Sequence, residues 1–438
     1  MTKYRLSVSL IFLLIFTLVF SLVFSLSSNA QVYIEKKSQH RFAQSYFGFN
    51  TQIVPASGSL IWQGQEQEFP TAIMPHLTLG GLHFWGKLDF NMTLYLTNLG
   101  STKLQNNGEV EYRSAGSLSA KYYPWRMEFK KLRPYMGVCL DFSSLGLGND
   151  TQGKRYDGFI TPMPLGGFSF ALKGWQINAE AMFLANNKKT FYSSETQRNT
   201  FELPKTYLSL GVVRYFDTTI KEEKPTESGK MEEVTASLAA KRKLNSFSIG
   251  IAPSSAFFLQ SPKFSEELES LPLHKASFNL DIGVGYFFYK AKLHTGFSYR
   301  NYSSKAISYS LEHIIRRQSI AFETYKFLFD YNGFVPFVGA SISSEKWATG
   351  LFRNNTQQGE IARTEMFSPG IIFGWDIVPS PLDTWVLRTN LRYYPFQEIN
   401  DVGGKKSRVD QFEFNFIQFV IYPNRIINFR KAKKGFYK

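Results

Sequence analysis

The sequence predicts an all-β fold: an antiparallel up-and-down transmembrane β-barrel of about sixteen strands. Three observations carry this. Lys87–Leu96 alternates strictly, with Leu88, Phe90, Met92, Leu94 and Leu96 on one side and Lys87, Asp89, Asn91, Thr93 and Tyr95 on the other. Strand side chains point to opposite faces with period two, so this run has one apolar and one polar face, and ten residues suffice for a tilted strand to cross a bilayer. Ala276–Phe288 and Trp385–Tyr393 repeat the pattern. Finally, the connections alternate between long polar loops and tight turns, as in barrels of outer membranes. A secreted soluble barrel that binds a small ligand is the alternative class, but it has no reason to segregate its loops by side.

Residues 1–30 read as a signal peptide. Lys3 and Arg5 precede the apolar run Leu10–Phe24, and Ser27-Ser28-Asn29-Ala30 supplies small residues before an expected cleavage after Ala30. The run is short for a membrane anchor. The chain carries +15, of which Lys3 and Arg5 supply two, leaving +13 on an exported protein. Nucleic acid is not an expected partner there. The scattered charge suits lipid head groups and lipopolysaccharide instead. Cys139 is the sole cysteine, which excludes an internal disulfide. Phe and Tyr number 42 and 23, mean hydropathy is −0.21, and no long apolar helix follows residue 30. A barrel is compatible with so weak a hydropathy signal, because only alternate residues meet lipid.

Taken in order, the first eight strands are expected at 42–54, 71–84, 87–97, 110–123, 133–145, 159–172, 175–186 and 205–217. Eight more follow at 246–259, 274–288, 291–302, 317–330, 334–344, 365–377, 384–397 and 411–423. Long loops are expected at 55–70, 98–109, 146–158, 187–204, 260–273, 303–316, 345–364 and 398–410, with tight turns at Trp85-Gly86, Lys173-Gly174 and Tyr289-Lys290. The halves match: Pro134-Tyr135-Met136-Gly137 corresponds to Pro336-Phe337-Val338-Gly339, and Trp175 to Trp385. This reads as a duplicated eight-stranded unit. The expected organisation is a signal peptide 1–30, a first barrel 31–219, a charged periplasmic linker 220–244, a second barrel 245–429 and a basic tail 430–438. Lys221–Leu244 holds five acidic and six basic residues and no aromatic, with a short helix plausible over 230–243. One sixteen-stranded barrel is the alternative to two in tandem. The linker is long for a periplasmic turn and natural between two bodies.

The segment Tyr207-Leu-Ser-Leu-Gly211-Val-Val-Arg-Tyr215-Phe216 resembles the terminal strand of OmpA-like small outer-membrane barrels. Ser117–Trp125 and Leu132–Phe142, with aromatic-aromatic-Pro, a short turn and Pro-aromatic-x-Gly, are similar to the fourth and fifth strands of barrels of Bacteroidetes-type outer membranes. The resemblance covers 31–219 well and 245–423 loosely. It implies residence in the outer membrane, and recognition of Tyr207, Gly211, Tyr215 and Phe216 by the barrel-assembly machinery. Phe412–Tyr422 keeps the aromatics but lacks the glycine.

No enzyme is expected, and no cofactor or metal. The six histidines are scattered without metal-ligand spacing. His274 and Ser277 fall on opposite pleat faces, and no Gly-x-Ser-x-Gly elbow occurs. Polar faces carry candidate lumen charges: Lys87, Asp89, Asp141 and Glu180 in the first half, Asp281, Lys292, Arg300, Asp376, Arg388 and Arg392 in the second. In an eight-stranded barrel such charges must pair, since the interior is only wide enough to be filled by side chains. In a sixteen-stranded barrel they would line water and set ion selectivity. Two roles follow: a structural or surface-interaction protein displaying long loops to an unnamed extracellular ligand, or a porin-like channel for small solutes.

Overall fold

The computed structural model describes residues 43–428, apart from 56–58, 63–64, 69–70, 98–101, 104–107, 150–152, 173, 193–197, 218–224, 261–269, 332 and 379–383. The expected signal peptide and basic tail lie outside the described residues.

Two closed barrels of eight antiparallel strands make up the chain. The first consists of β1 (Ala43–Val54), β2 (Ala72–His83), β3 (Leu88–Tyr95), β4 (Gly108–Tyr122), β5 (Leu132–Asn149), β6 (Gly153–Leu172), β7 (Trp175–Phe183) and β8 (Thr206–Asp217). Each strand pairs with the next, and β8 returns to β1 with Tyr46 opposite Tyr215 and Asn50 opposite Gly211. The second consists of β9 (Ser246–Phe258), β10 (Ala276–Phe288), β11 (Leu293–Ser308), β12 (Leu311–Phe327), β13 (Phe334–Arg353), β14 (Thr356–Ile377), β15 (Trp385–Tyr394) and β16 (Gln411–Ile421). It closes through β9 and β16. All sixteen expected strands are present, and they form two barrels.

The outward faces are apolar over a band. Phe49, Leu210 and Phe168 on the first barrel are 62%, 57% and 53% exposed, and Leu280, Ile320 and Ile371 on the second 50%, 57% and 58%. A surface of this kind is stable only against hydrocarbon. The protein is an integral outer-membrane barrel protein, with its tight turns on one side of the band and its long connections on the other.

Three connections expected as long loops are instead extensions of the barrel wall. β11 and β12 run on to a turn at Tyr309-Ser310, β13 and β14 to a turn at Asn354-Asn355, and β5 and β6 pair as far as Asn149 and Gly153. Asn354 and Asn355 both have positive φ, 50° and 62°, as a two-residue type I′ hairpin requires. Above the band the outward residues turn polar: Asn301, Ser303, Lys305, Arg316 and Gln318 are exposed. Within other loops, short strands build small sheets, of which Glu398–Asp401 with Lys405–Arg408 matters below.

On the turn side, α1 (Pro225–Ala240) occupies most of the expected linker. It is held under the second barrel by Val234, Leu238 and Leu244, packed with Tyr289.

The barrels also touch each other. Phe84 meets Tyr331 and Phe334 at the turn side, with ring centroids 6.4 and 5.7 Å apart, and Phe90 meets Trp375 at 6.1 Å. Towards the loop side, outward-facing Phe142 and Phe257 stack at 5.4 Å. Beyond the band, Arg155 donates to Ser308 Oγ at 3.3 Å and the Tyr309 hydroxyl to the Tyr192 carbonyl at 2.8 Å.

Candidate functional site

The polar inner faces hold the chemistry of the molecule, and period-two geometry puts it there. In the first barrel Lys121 pairs with Glu180 at 2.6 Å, and Glu180 also accepts from the Tyr135 hydroxyl at 3.0 Å. Asp89 accepts from Tyr46 at 2.5 Å. Asp141 is buried near Ser114. Above this lies a mainly apolar core that includes Tyr112, Leu145, Met163, Phe191, Phe201 and Tyr207.

The second barrel is filled in layers. Nearest the turns, Arg388 grips Asp376 with two bonds of 2.6 and 2.7 Å, amid the rings of Tyr325, Phe327 and Phe337. The middle holds a network of like and unlike charges. Arg300 pairs with Glu413 at 2.8 Å, Arg392 with Asp281 and Glu323 at 2.8 Å each, and Arg317 with Glu345 through two bonds of 2.6 Å. Arg317 also bonds Glu413. Buried charges survive only when paired in this way. A cavity of about 20 Å³ between Ser248, His294, Ser298 and Arg392 is large enough for one water molecule. Above the network, Tyr302, Ile315 and Trp347 pack with Ile399 and Val409 of the last loop.

The loop layer contains a hydrogen-bonded chain that period-two reasoning missed. Ser304 Oγ lies 2.8 Å from His274 Nδ1, His274 Nε2 lies 3.0 Å from His313 Nδ1, and His313 Nε2 lies 3.0 Å from Asp401 Oδ1. Asp401 also accepts from Ser407 and the Val402 amide. All four side chains are buried. Burial, helped by His313, pushes His274 down to about 3. For Asp401 burial acts upward, and the His313 bond and charge override it, holding the carboxyl below its usual value. This chain ties the Glu398–Arg408 hairpin to the barrel wall. It joins Ser304, not Ser277, to His274. Had β12 been read from Leu311, the parity of His313 with Arg317 would have placed this histidine inside.

Asp89, Asp141, Glu180, Asp281, Arg300, Asp376, Arg388 and Arg392 all face the interiors. Lys87 and Lys292 do not: they stand in turns, half-buried and exposed, Lys292 with φ 49°. Alternation fails them because the pleat ends one residue before each strand. Arg317 and Glu345 are interior charges that the reading did not single out, one at an expected strand end and the other in an expected loop. Tyr207, Gly211 and Tyr215 share the inner face of β8, and the Tyr215 hydroxyl bonds Gln176. The Phe216 side chain lies outside the described residues. No group of three or more metal-ligating side chains occurs among the described residues.

No protein-family model matches the chain. No curated protein matches it. Among solved structures it is similar to Neisserial surface protein A, with 14% identity over 41% of this chain and 97% of that one and a TM-score of 0.29. The attachment invasion locus protein Ail of Yersinia pestis gives 13% over 41% and 96%, TM-score 0.26, and OprG of Pseudomonas aeruginosa 10% over 41% and 96%, TM-score 0.29. An outer-membrane channel from Pseudomonas putida F1 is similar over 86% of this chain and 95% of its own, with 9% identity and a TM-score of 0.20.

Proposed function

We propose that this protein is a structural and surface-interaction protein of the outer membrane: two filled barrels that anchor a shared loop surface, and not a solute channel. The observation that carries the reading is the ion-paired interior of the second barrel, where Arg317 and Glu413 join walls on opposite sides. A side-chain plug of this kind leaves room for a water molecule, not for a solute stream. The proposed role is non-catalytic. The enclosed position of Ser304, 6% exposed, supports a structural use of its histidine chain. We further take the two barrels as a tandem duplication of a Bacteroidetes-type unit, the β5 and β13 starts Pro134–Gly137 and Pro336–Gly339 being the matching pieces. Lipopolysaccharide is the proposed lipid partner, and Tyr207–Phe216 the proposed contact for the assembly machinery.

Planar-bilayer recording of the refolded full chain tests the reading. A closed trace is expected. Stable steps in the nanosiemens range would reject the filled-barrel role in favour of a porin-like channel.

A further inference from the structure

Where the two barrels meet above the membrane, they bring cations together. Phe159, near the loop end of β6, has Lys189 of the first barrel's last loop 5.7 Å from its ring centroid. Lys275 of the second barrel, just before β10, lies 5.2 Å from the same ring. Both lysines are half-buried. Beside them Arg155 and Asp157 are buried, and the guanidinium grips this carboxylate with two bonds of 2.6 and 2.7 Å. Asp157 is thereby engaged. In the loop that carries Lys189, Glu202 is held by Lys188 at 3.0 Å. Two ammonium groups thus stand against one aromatic ring and repel each other, while Asp157, the carboxylate that faces Lys275 among the described residues, is committed to Arg155.

Burial acts on both. It lowers Lys189, and it pushes Lys275 down to about 8, with Lys189 adding to the effect and Asp157 opposing it. Holding such a pair costs free energy that a bound oxyanion would offset, since charge-assisted bonds to phosphate are among the stronger polar contacts. A ring in contact with two cations gives them a fixed seat without neutralising them. The position matters too. Neither barrel alone makes the site, because Lys189 and Phe159 come from one and Lys275 from the other.

We propose that Lys189 and Lys275, gathered over Phe159 at the junction of the two barrels, form a binding site for a phosphomonoester group of a surface glycan or glycolipid. The inference rests on the surface-interaction reading, whose own test is conductance. A conducting protein that still bound phosphate through these lysines would remove that reading and leave this one standing.

The test uses the full chain refolded in detergent micelles, titrated with glucose 1-phosphate, and the same chain in phosphatidylcholine vesicles with and without bis-phosphorylated lipid A. Binding of glucose 1-phosphate would mark a soluble glycan as sufficient. Binding seen only with lipid A vesicles would mark the anchored glycolipid. In either case Lys189→Met with Lys275→Met should weaken binding at least about ten-fold, while Lys346→Met on the outer wall leaves it unchanged. Should the double variant fail to fold, the pH profile of the unaltered protein decides. A phosphomonoester keeps its second charge above pH of about 6. Affinity should then fall about ten-fold or more between pH 7 and 9.5 as Lys275 loses its proton, with Asp157 and Lys189 the other charges facing it among the described residues. Binding to neither probe, equal binding by the double variant, or a flat pH profile would overturn the proposal.

Discussion

Arg388 and Asp376 offer a direct measure of how dry the second barrel is. The guanidinium makes two bonds to the carboxylate at 2.6 and 2.7 Å, a third to the Tyr325 hydroxyl, and lies 5.1 to 5.9 Å from three ring centroids. Arg388 is 3% exposed and Asp376 1%. Arg388→Met leaves a buried carboxylate without its cation, and Asp376→Leu leaves the cation with a phenol and three rings. Each should cost about 3–5 kcal/mol, the range for stripping one partner from a buried pair. The double variant removes both charges and fills the space with apolar atoms of similar volume, so it should lie within about 2 kcal/mol of the parent. The cycle then gives a coupling of several kcal/mol, far from additive. Urea unfolding of the full chain in micelles, followed by tryptophan fluorescence and by the heat-dependent gel shift, measures all four species. Single losses under about 1 kcal/mol that add in the double would refute the reasoning. They would mean that water screens the pair, as in an open lumen.

Acidification should loosen the last loop. His274 holds its proton only near pH 3, so the opened loop takes one up as pH falls from 6.5, and the contribution to latch stability shrinks by up to about 1.4 kcal/mol per pH unit across that window. The lowered Asp401 acts in the same direction at still lower pH, and amide exchange over 398–408, corrected for intrinsic rates, should rise between pH 7 and 4 in the parent but stay flat in His274→Gln. Phe90→Ala with Phe142→Ala should leave both heat-resistant barrels intact while broadening the inter-barrel distance distribution between spin labels; an unchanged distribution would show that the aromatic seam does not orient them. Residues 43–217 refolded alone should give a heat-modifiable, protease-resistant barrel, because β1 and β8 already close it. Failure of both halves to fold while the full chain folds would contradict that autonomy.

The strands were legible because one physical rule, alternation between lipid and interior, governs nearly every residue of the band. Phe278, Leu280, Ile282 and Val284 are exposed to the outside and Ser277 and Asp281 buried, as Ala276–Phe288 spells out. The rule stops where lipid stops. In 303–316 the outward residues include Ser303, Lys305, Glu312 and Arg316, so the outer face no longer reads as apolar, the alternation blurs and the stretch passes for a loop. The signal available there was turn chemistry: Asn354-Asn355 supports paired positive φ, and strands on either side follow from it. The contacts across the lumen were not legible. No spacing links Arg317 to Glu413 or His313 to Asp401, because both pairs are set by barrel closure and loop folding rather than by local pattern.

Those cross-lumen contacts also explain why the chain makes two narrow barrels. β12 and β16 stand on opposite walls of the second barrel, four strands apart either way, yet Arg317 reaches Glu413. β10 and β15 are three strands apart, and Arg392 reaches Asp281 at 2.8 Å. Barrel diameter grows roughly in proportion to strand number, so a sixteen-stranded sheet would about double these spans and no arginine could bridge them. Each charge would then need water or a neighbour on its own wall. Arg300, Arg317 and Arg392 reach Glu413, Asp281 and Glu323 across the lumen because the wall curves back within one side-chain length, whereas Arg388 and Asp376 are direct neighbours on β15 and β14. The first barrel reaches the same end by other means, filling its lumen with Tyr46, Tyr112, Tyr135 and Tyr207 around the Lys121–Glu180 pair. Opening either interior into a channel would strip these partners at several kcal/mol each, a cost that grows with every pair broken. A filled barrel is thus stable as it stands.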